Sequence, residues 1–214
     1  MDLILTWLGG RAMRVRHGDV TAVLEADAAA AFDADLLTRA LPAPPSAAGP
    51  ATGGGAGRFV IEAPGEYEVR GVFIVGVPTP GPKSAPFNVA YALAFGDLVV
   101  GHLGHATGVP GDDEVADLGA IDVLVVPLGG EEPLDPSVAA EIVGELEPRV
   151  VVPIVVGADD APLASFLGAL GAGGVDPVDA LRLTRAELGD DRRVVLLAQT
   201  PGSPAMPGTG DAAG

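Results

Sequence analysis

The sequence contains no cysteine, and this single absence excludes disulfides, thiolate metal sites and thiol nucleophiles together. Basic residues are also scarce, because 12 Lys and Arg face 29 Asp and Glu, for a formal net charge of −17. A surface this negative repels phosphate backbones and anionic lipids, which argues against nucleic-acid and membrane partners. No apolar run free of charges and turn residues reaches the roughly 20 residues that span a bilayer.

The remaining composition predicts a cytoplasmic protein with one folded domain. Apolar residues make up 48% of the 214 residues, which is enough for a sizeable core. The opening MDLILTWLGG has no basic residue ahead of its apolar stretch, unlike a secretory signal. Two segments consist mostly of Pro, Ala, Gly, Ser and Thr. We therefore expect one domain over residues 1–199, with a flexible loop at 41–57, and a disordered tail at 200–214.

Apolar patterning predicts an α/β chain with two groups of strands, each followed by helices. Strands are predicted at residues 3–8, 13–16, 20–24, 34–38, 58–62, 67–69, 72–77, 88–95, 98–102, 123–126, 150–156, 181–183 and 194–198. Helices are predicted at 112–118, after an Asp135 cap, and after an Asp160 cap. The last helix has an apolar stripe made of Leu163, Phe166, Leu167 and Leu170. Two stacked sheets with helices outside would form a four-layer αββα sandwich, with Trp7 in its core.

Five segments of the chain carry a resemblance to a known family. They are TWLG at 6–9, PGEYEVRGVFIVGVPT at 64–79, GHLGH at 101–105, IDVLVVPLGG at 121–130 and LEPRVVVP at 146–153. In order and spacing they resemble the metallo-β-lactamase fold, specifically its small branch of lactonase-like zinc hydrolases. The resemblance covers residues 3 to about 198, apart from 41–57, and implies the same αββα sandwich.

The resemblance also implies where zinc ligands should lie, and those positions carry other residues. The family's H-x-H-x-D-H run and its further ligands fall on Gly10, Leu41, Ala43, Pro45, Ser46, Gly81, His105 and Val155. Zinc in such sites takes imidazole nitrogen and carboxylate oxygen, which only His105 among these could supply. We therefore predict no metal or other cofactor, and a vestigial cleft lined by these eight residues.

A relocated metal site is the alternative. His102 and His105 form an H-x-x-H pair, and Asp112 follows in the next loop. A catalytic zinc needs three protein ligands with supporting contacts, and only the two histidines are credible. The simpler interpretation places His102 in the strand framework.

Other polar residues have structural interpretations. His17 falls at a hairpin turn, Glu66 and Glu68 lie on one face of a strand, and Asp122 leads a strand where it would cap backbone groups. The chain has no G-x-S-x-G nucleophile elbow, and its Gly53–Gly55 tract lacks the lysine of a phosphate loop.

Three functional hypotheses remain open. In the first, the chain is a metal-free relative kept as a binding or scaffolding protein for an unknown small ligand or partner protein, with self-association as a further option. In the second, it is a metal-dependent hydrolase of esters, lactones or phosphoesters, with zinc in a site rebuilt around His102 and His105. In the third, it is a degraded paralogue whose fold persists under weak selection.

Overall fold

The computed structural model describes residues 1–26, 33–41 and 58–200. Residues 27–32, 42–57 and 201–214 lie outside the described residues, and they include most of the predicted loop and nearly all of the predicted tail.

The described chain forms thirteen strands and three α-helices. The strands are β1 (Leu3–Gly9), β2 (Ala12–His17), β3 (Val20–Leu24), β4 (Leu36–Thr38), β5 (Phe59–Ile61), β6 (Gly65–Val69), β7 (Val72–Thr79), β8 (Asn88–Phe95), β9 (Leu98–His102), β10 (Val123–Gly129), β11 (Val150–Val156), β12 (Leu181–Leu183) and β13 (Arg193–Val194). The helices are α1 (Asp112–Leu118), α2 (Pro136–Leu146) and α3 (Ala161–Ala169).

These strands build two mixed sheets. One sheet has six strands in the order β12-β1-β2-β3-β4-β5, and the other has seven in the order β13-β11-β10-β9-β8-β7-β6. In the seven-stranded sheet, β6 to β9 pair antiparallel, whereas β9, β10, β11 and β13 pair parallel. Strand β12, from the second half of the chain, returns to pair with β1, so both halves of the chain contribute to the six-stranded sheet.

The main core lies between the two sheets, where alternate residues of each strand interdigitate. Leu5 and Val15 of the six-stranded sheet belong to the same buried cluster as Leu93 and Val125 of the seven-stranded sheet. A second cluster lies between the seven-stranded sheet and the helices, and includes Ile142 of α2. Strands β10 and β11 are therefore covered on both faces, as their continuous β-branched runs predict.

The predicted α/β sandwich of two stacked sheets with outer helices is confirmed, and several elements begin and end as predicted. Helix α2 starts as expected, because the Asp135 carboxylate accepts the Ser137 backbone N–H at 2.8 Å and Pro136 occupies the first turn. Within the described ranges, no helix is long and apolar enough to cross a bilayer.

Three predictions about local structure were wrong. Asp160 precedes α3, but its backbone is already helical, and the Asp159 carboxylate accepts the first helical N–H instead, at 3.0 Å. The closing strand ends at Val194, because Leu196 and Ala198 form backbone hydrogen bonds with Val178 in an isolated bridge. Trp7 is only partly buried, and its indole N–H donates to the Gly10 carbonyl at 3.0 Å.

The Tyr91 hydroxyl joins the two sheets from within the core. The side chain is 1% exposed, and its hydroxyl donates to the Arg39 carbonyl at 3.0 Å, with the Ile61 carbonyl 3.4 Å away. A Cβ atom on Gly76 would lie 2.7 Å from the ring, so this glycine makes room for the tyrosine. Burial raises the pKa of the Tyr91 hydroxyl above its usual range, which keeps it protonated as a donor.

Replacing Tyr91 by phenylalanine should therefore destabilise the protein. Tyr91→Phe leaves the Arg39 carbonyl without this donor inside the protein, so we expect a loss of about 1–3 kcal/mol in the free energy of unfolding, measured by urea titration. Tyr67→Phe is the matched control, because its hydroxyl bonds the Ala63 carbonyl at the surface and should cost less than about 0.5 kcal/mol. Equal losses in both variants would contradict this role for Tyr91.

Candidate functional site

A buried carboxylate–imidazole pair lies where the two sheets meet at one edge. His105, in the loop after β9, places its Nε2 atom 3.0 Å from Oε1 of Glu25, which follows β3. The Glu25 side chain is 3% exposed and that of His105 is 19% exposed. The second carboxylate oxygen of Glu25 accepts the Ala40 backbone N–H at 2.7 Å. Both oxygens of Glu25 are thus engaged, and the pair connects one sheet to the other.

The backbone of Glu25 has an unusual conformation. Its φ angle is +55°, in the left-handed region that residues other than glycine rarely adopt. Its N–H points to the Thr38 hydroxyl at 3.4 Å. Such conformations persist where surrounding contacts fix them, and here those contacts are the bonds to Thr38, Ala40 and His105.

Asn88 and Gly104 fix the loop that carries His105. The buried Asn88 amide donates to the Thr79 hydroxyl and the Leu103 carbonyl, and its oxygen accepts the His105 backbone N–H at 2.7 Å. Gly104 has a φ angle of +61°, and a Cβ atom there would lie 2.2 Å from Cβ of Ala40. Only glycine allows this close approach, which brings His105 within reach of Glu25.

His102 is held as a neutral ring by backbone groups. Its Nδ1 accepts the Gly104 N–H at 2.9 Å, so the proton lies on Nε2, which donates to the Arg11 carbonyl at 2.9 Å. Burial lowers the pKa of His102 from its ordinary 6.5 to about 4. The ring is therefore uncharged at neutral pH.

These residues do not fit a catalytic zinc centre. Both ring nitrogens of His102 are occupied by backbone groups, and Nε2 of His105 is occupied by Glu25. Among the described residues, no three His, Cys, Asp or Glu side chains form a group that could hold a metal ion, and Asp112 joins neither histidine in one. Outside the described residues the sequence contains no His or Glu, and its only acidic residues there are Asp27 and Asp211.

A cavity of about 420 Å³ opens beside the Glu25–His105 pair. Its wall includes charged side chains of both signs, a hydroxyl and an apolar group, contributed by Arg11, Leu41, Ser84, His105, Glu131 and Glu132. The Arg11 guanidinium lies 3.4 Å from the Gly129 carbonyl, which holds it at this edge of the sheets. Charged and polar side chains thus line part of the wall, and we call this the polar cavity.

The structure brings together only part of the predicted vestigial cleft. Leu41 and His105 line this cavity, whereas the chain neighbours of Gly10 and Gly81, which are Arg11 and Pro82, line it in their place.

Val155 lies against a different cavity, because residues alternate along β11 and its neighbour Val156 faces the polar one. The predicted cleft residues Ala43, Pro45 and Ser46 lie outside the described residues.

The structural interpretation of other polar residues agrees with their contacts. The Asp122 carboxylate accepts the Val99 N–H at 2.8 Å and pairs with Arg185 at 2.6 Å, as its predicted capping role requires. His17 ends β2, with its ring centroid 6.4 Å from that of Phe95, and Glu66 and Glu68 lie exposed on the edge strand β6.

Sequence reasoning missed Glu25, Arg11 and the pair Glu131 and Glu132. Glu25 could have been noticed as an acidic residue directly after the buried end of a strand. The Gly-Gly-Glu-Glu run after β10 was a second signal, since ligands often bind beyond the carboxyl ends of parallel strands. Nothing local pairs Glu25 with a histidine 80 positions away.

Comparisons with known proteins agree with the fold. A family model described as a beta-lactamase superfamily domain matches residues 5–155. No curated protein sequence matches the chain.

Several solved structures share the architecture. One, described as a candidate Zn-dependent hydrolase of the metallo-beta-lactamase superfamily from Thermotoga maritima, has 25% identity and a TM-score of 0.70, over 91% of this chain and 98% of that one. A metallo hydrolase from Ignicoccus hospitalis has 18% identity and a TM-score of 0.60, over 86% and 99% of the two chains. A metallo-beta-lactamase fold protein from Bacillus subtilis has 10% identity and a TM-score of 0.59, over 93% and 97%.

The neutral state of His102 predicts a loss of stability in acid. The unfolded chain protonates this histidine near pH 6.5, whereas the folded protein does so only near pH 4. The contribution of His102 to the free energy of unfolding is therefore constant above pH 6.5. It declines as the pH falls from 6.5 to 4, by about 3 kcal/mol in total. Urea unfolding of the wild type and His102→Gln across this range measures the difference.

His17→Gln is the control, because it removes a histidine at a hairpin end without touching the site. It should retain the pH dependence of the wild type, whereas His102→Gln should lose part of it. The same pH dependence in all three proteins would show that His102 is not the group responsible.

Proposed function

The chain belongs to the beta-lactamase superfamily, and from that premise we propose that it is a metal-free member that binds a small polar molecule and has lost zinc-dependent hydrolysis. The Glu25–His105 pair is the observation that supports this proposal most directly. It engages the one histidine that falls on a ligand position implied by the sequence resemblance.

The chemistry of the pair explains why it disfavours a cation. A zinc ion at this edge would need nitrogen and oxygen donors with free lone pairs from at least three side chains. Glu25 already engages Nε2 of His105 and the Ala40 N–H, so a metal bound at Nε2 or at the Glu25 carboxylate would displace one of these bonds within a buried environment. Without the cation, no water is activated by the route that such hydrolases use.

The polar cavity supports a binding role. Its volume of about 420 Å³ lies within the range of small-molecule sites, roughly 300–1,000 Å³. Arg11, Glu131, Glu132 and Ser84 contribute charged groups and a hydroxyl to its wall, and the Glu132 carboxylate also accepts the Lys83 N–H at 2.9 Å. Such a wall suits a small molecule that carries both signs of charge or several hydrogen-bonding groups, with Leu41 against its apolar part.

Elemental analysis tests the loss of metal. Protein purified from zinc-supplemented cells without chelator is expected to contain no stoichiometric zinc, because the described residues around His105 do not provide three donor side chains. Its urea unfolding midpoint should be the same with and without EDTA. With zinc added to both assays, the protein should hydrolyse ester, lactone and phosphoester substrates no faster than the buffer alone.

Two histidine variants show whether any zinc that is found is bound at His105. His105→Gln changes the site, and His17→Gln changes a histidine at the far end of a hairpin. Stoichiometric zinc in the wild type and in His17→Gln, but not in His105→Gln, would overturn the proposal. That result would support a hydrolase with a metal site rebuilt around His102 and His105.

Thermal unfolding with a panel of small amino acids, carboxylic acids and amines tests the binding role. A compound present at a hundred times its Kd should stabilise the folded protein by about 2.7 kcal/mol. Ser84→Phe, at an exposed position in the cavity wall, should abolish the shift for any compound that binds there. Shifts that persist in Ser84→Phe, or none across the panel, would count against this cavity as the site.

A further inference from the structure

A second cavity, of about 450 Å³, lies on the other side of β11 from the polar one. It is bordered by β1, by α3 and by the segment that follows β13, and it shares no lining residue with the polar cavity. Most of its wall is apolar, with contributions from Trp7, Val155, Leu163, Leu167 and Leu196. It is a separate candidate for ligand binding.

The apolar wall is incompletely covered in the folded chain. The pattern of α3 predicts four core residues, yet only Phe166 is fully buried, while Leu163 and Leu167 are half-buried against the cavity. Trp7 is likewise partly exposed there. Leu163 and Leu167 are four residues apart on α3, and Trp7 lies on β1. An apolar molecule between these side chains would complete their burial.

The walls are held in place by backbone hydrogen bonds. The Trp7 carbonyl accepts the Thr200 N–H at 2.9 Å, and its indole N–H donates to Gly10 at 3.0 Å. Opposite, Leu196 accepts the Val178 N–H at 3.0 Å, which fixes the segment after β13. The cavity is therefore preformed, which reduces the conformational cost of binding.

Asp160 is the one ionisable side chain among the described residues that line this cavity. It stands before α3, but Asp159 performs the capping, and the Asp160 carboxylate makes no cap hydrogen bond. A negative group at the rim of an apolar cavity that also contains a tryptophan attracts a cation, both directly and through the ring face. The net charge of −17 favours the approach of cations as well.

We propose that this second cavity binds a small apolar molecule carrying one protonated amine. Its hydrocarbon part would lie among Trp7, Leu163 and Leu167, with the ammonium group at Asp160. This inference goes beyond the proposed function and uses a different cavity, so either can fail without the other.

Fluorescence of Trp7, the only tryptophan of the chain, reports binding directly. We would titrate the full-length protein with octylamine, octanol and octanoate, which share one chain and differ in charge, and repeat the titrations by calorimetry. Octylamine should bind about fivefold more tightly than octanol, as expected for a partly exposed ion pair, and octanoate more weakly than either.

Three variants identify the site. Asp160→Asn should reduce the affinity for octylamine to that for octanol, whereas Asp159→Asn, which keeps a capping side chain, should preserve the preference. Ala164→Phe fills the cavity from an exposed helix position and should abolish binding of all three probes. Circular dichroism of each variant verifies that it remains folded.

Three outcomes would overturn the proposal. One is equal affinity of the wild type for octylamine and octanol. Another is a preference for the amine that survives in Asp160→Asn. The third is octylamine binding unchanged by Ala164→Phe, which would place the amine elsewhere on the acidic surface.

Discussion

The contact between Glu25 and His105 constrains the whole edge at which the two sheets meet. A buried carboxylate is costly unless it is paired and hydrogen-bonded, so Glu25 requires both the imidazole and the Ala40 N–H. Meeting this requirement explains the left-handed backbone of Glu25 and the close approach at Gly104. The polar cavity takes its shape from the same contact, since His105 and the residue after Ala40 both line it.

The core between the sheets is independent of that edge. Its buried residues come from nearly every strand, and Tyr91 adds a hydrogen bond across the sandwich. Hydrophobic burial of this extent maintains the fold whether or not a cation is bound, unlike a small domain that folds around its metal. The core and the strand order therefore identify the superfamily, whereas the chemistry depends on a few residues at the edge of the sheets.

The sequence allowed most of the strands to be predicted, because their signals are local. Residues 88–95 and 98–102 flank a Gly-Asp turn, and 150–156 is a β-branched run, so each has the predicted bounds. The Asp160 cap was wrong because Asp159 competes for the same N–H, which side-chain identity alone does not decide. The site was harder to foresee, since Glu25, Arg11 and His105 meet only through the stacking of two sheets. The exposed flank of Trp7 depends in the same way on how α3 lies over β11.

Consecutive residues at the end of β11 face opposite ways, so that Val155 borders the apolar cavity and Val156 the polar one. The peptide unit between Val155 and Val156 thus lies between the apolar cavity and the polar cavity. A ligand in one cavity that displaced this end of β11 would therefore change the volume of the other cavity. The end of β11 therefore belongs to the walls of both cavities, and a change in its position would alter the shape of both.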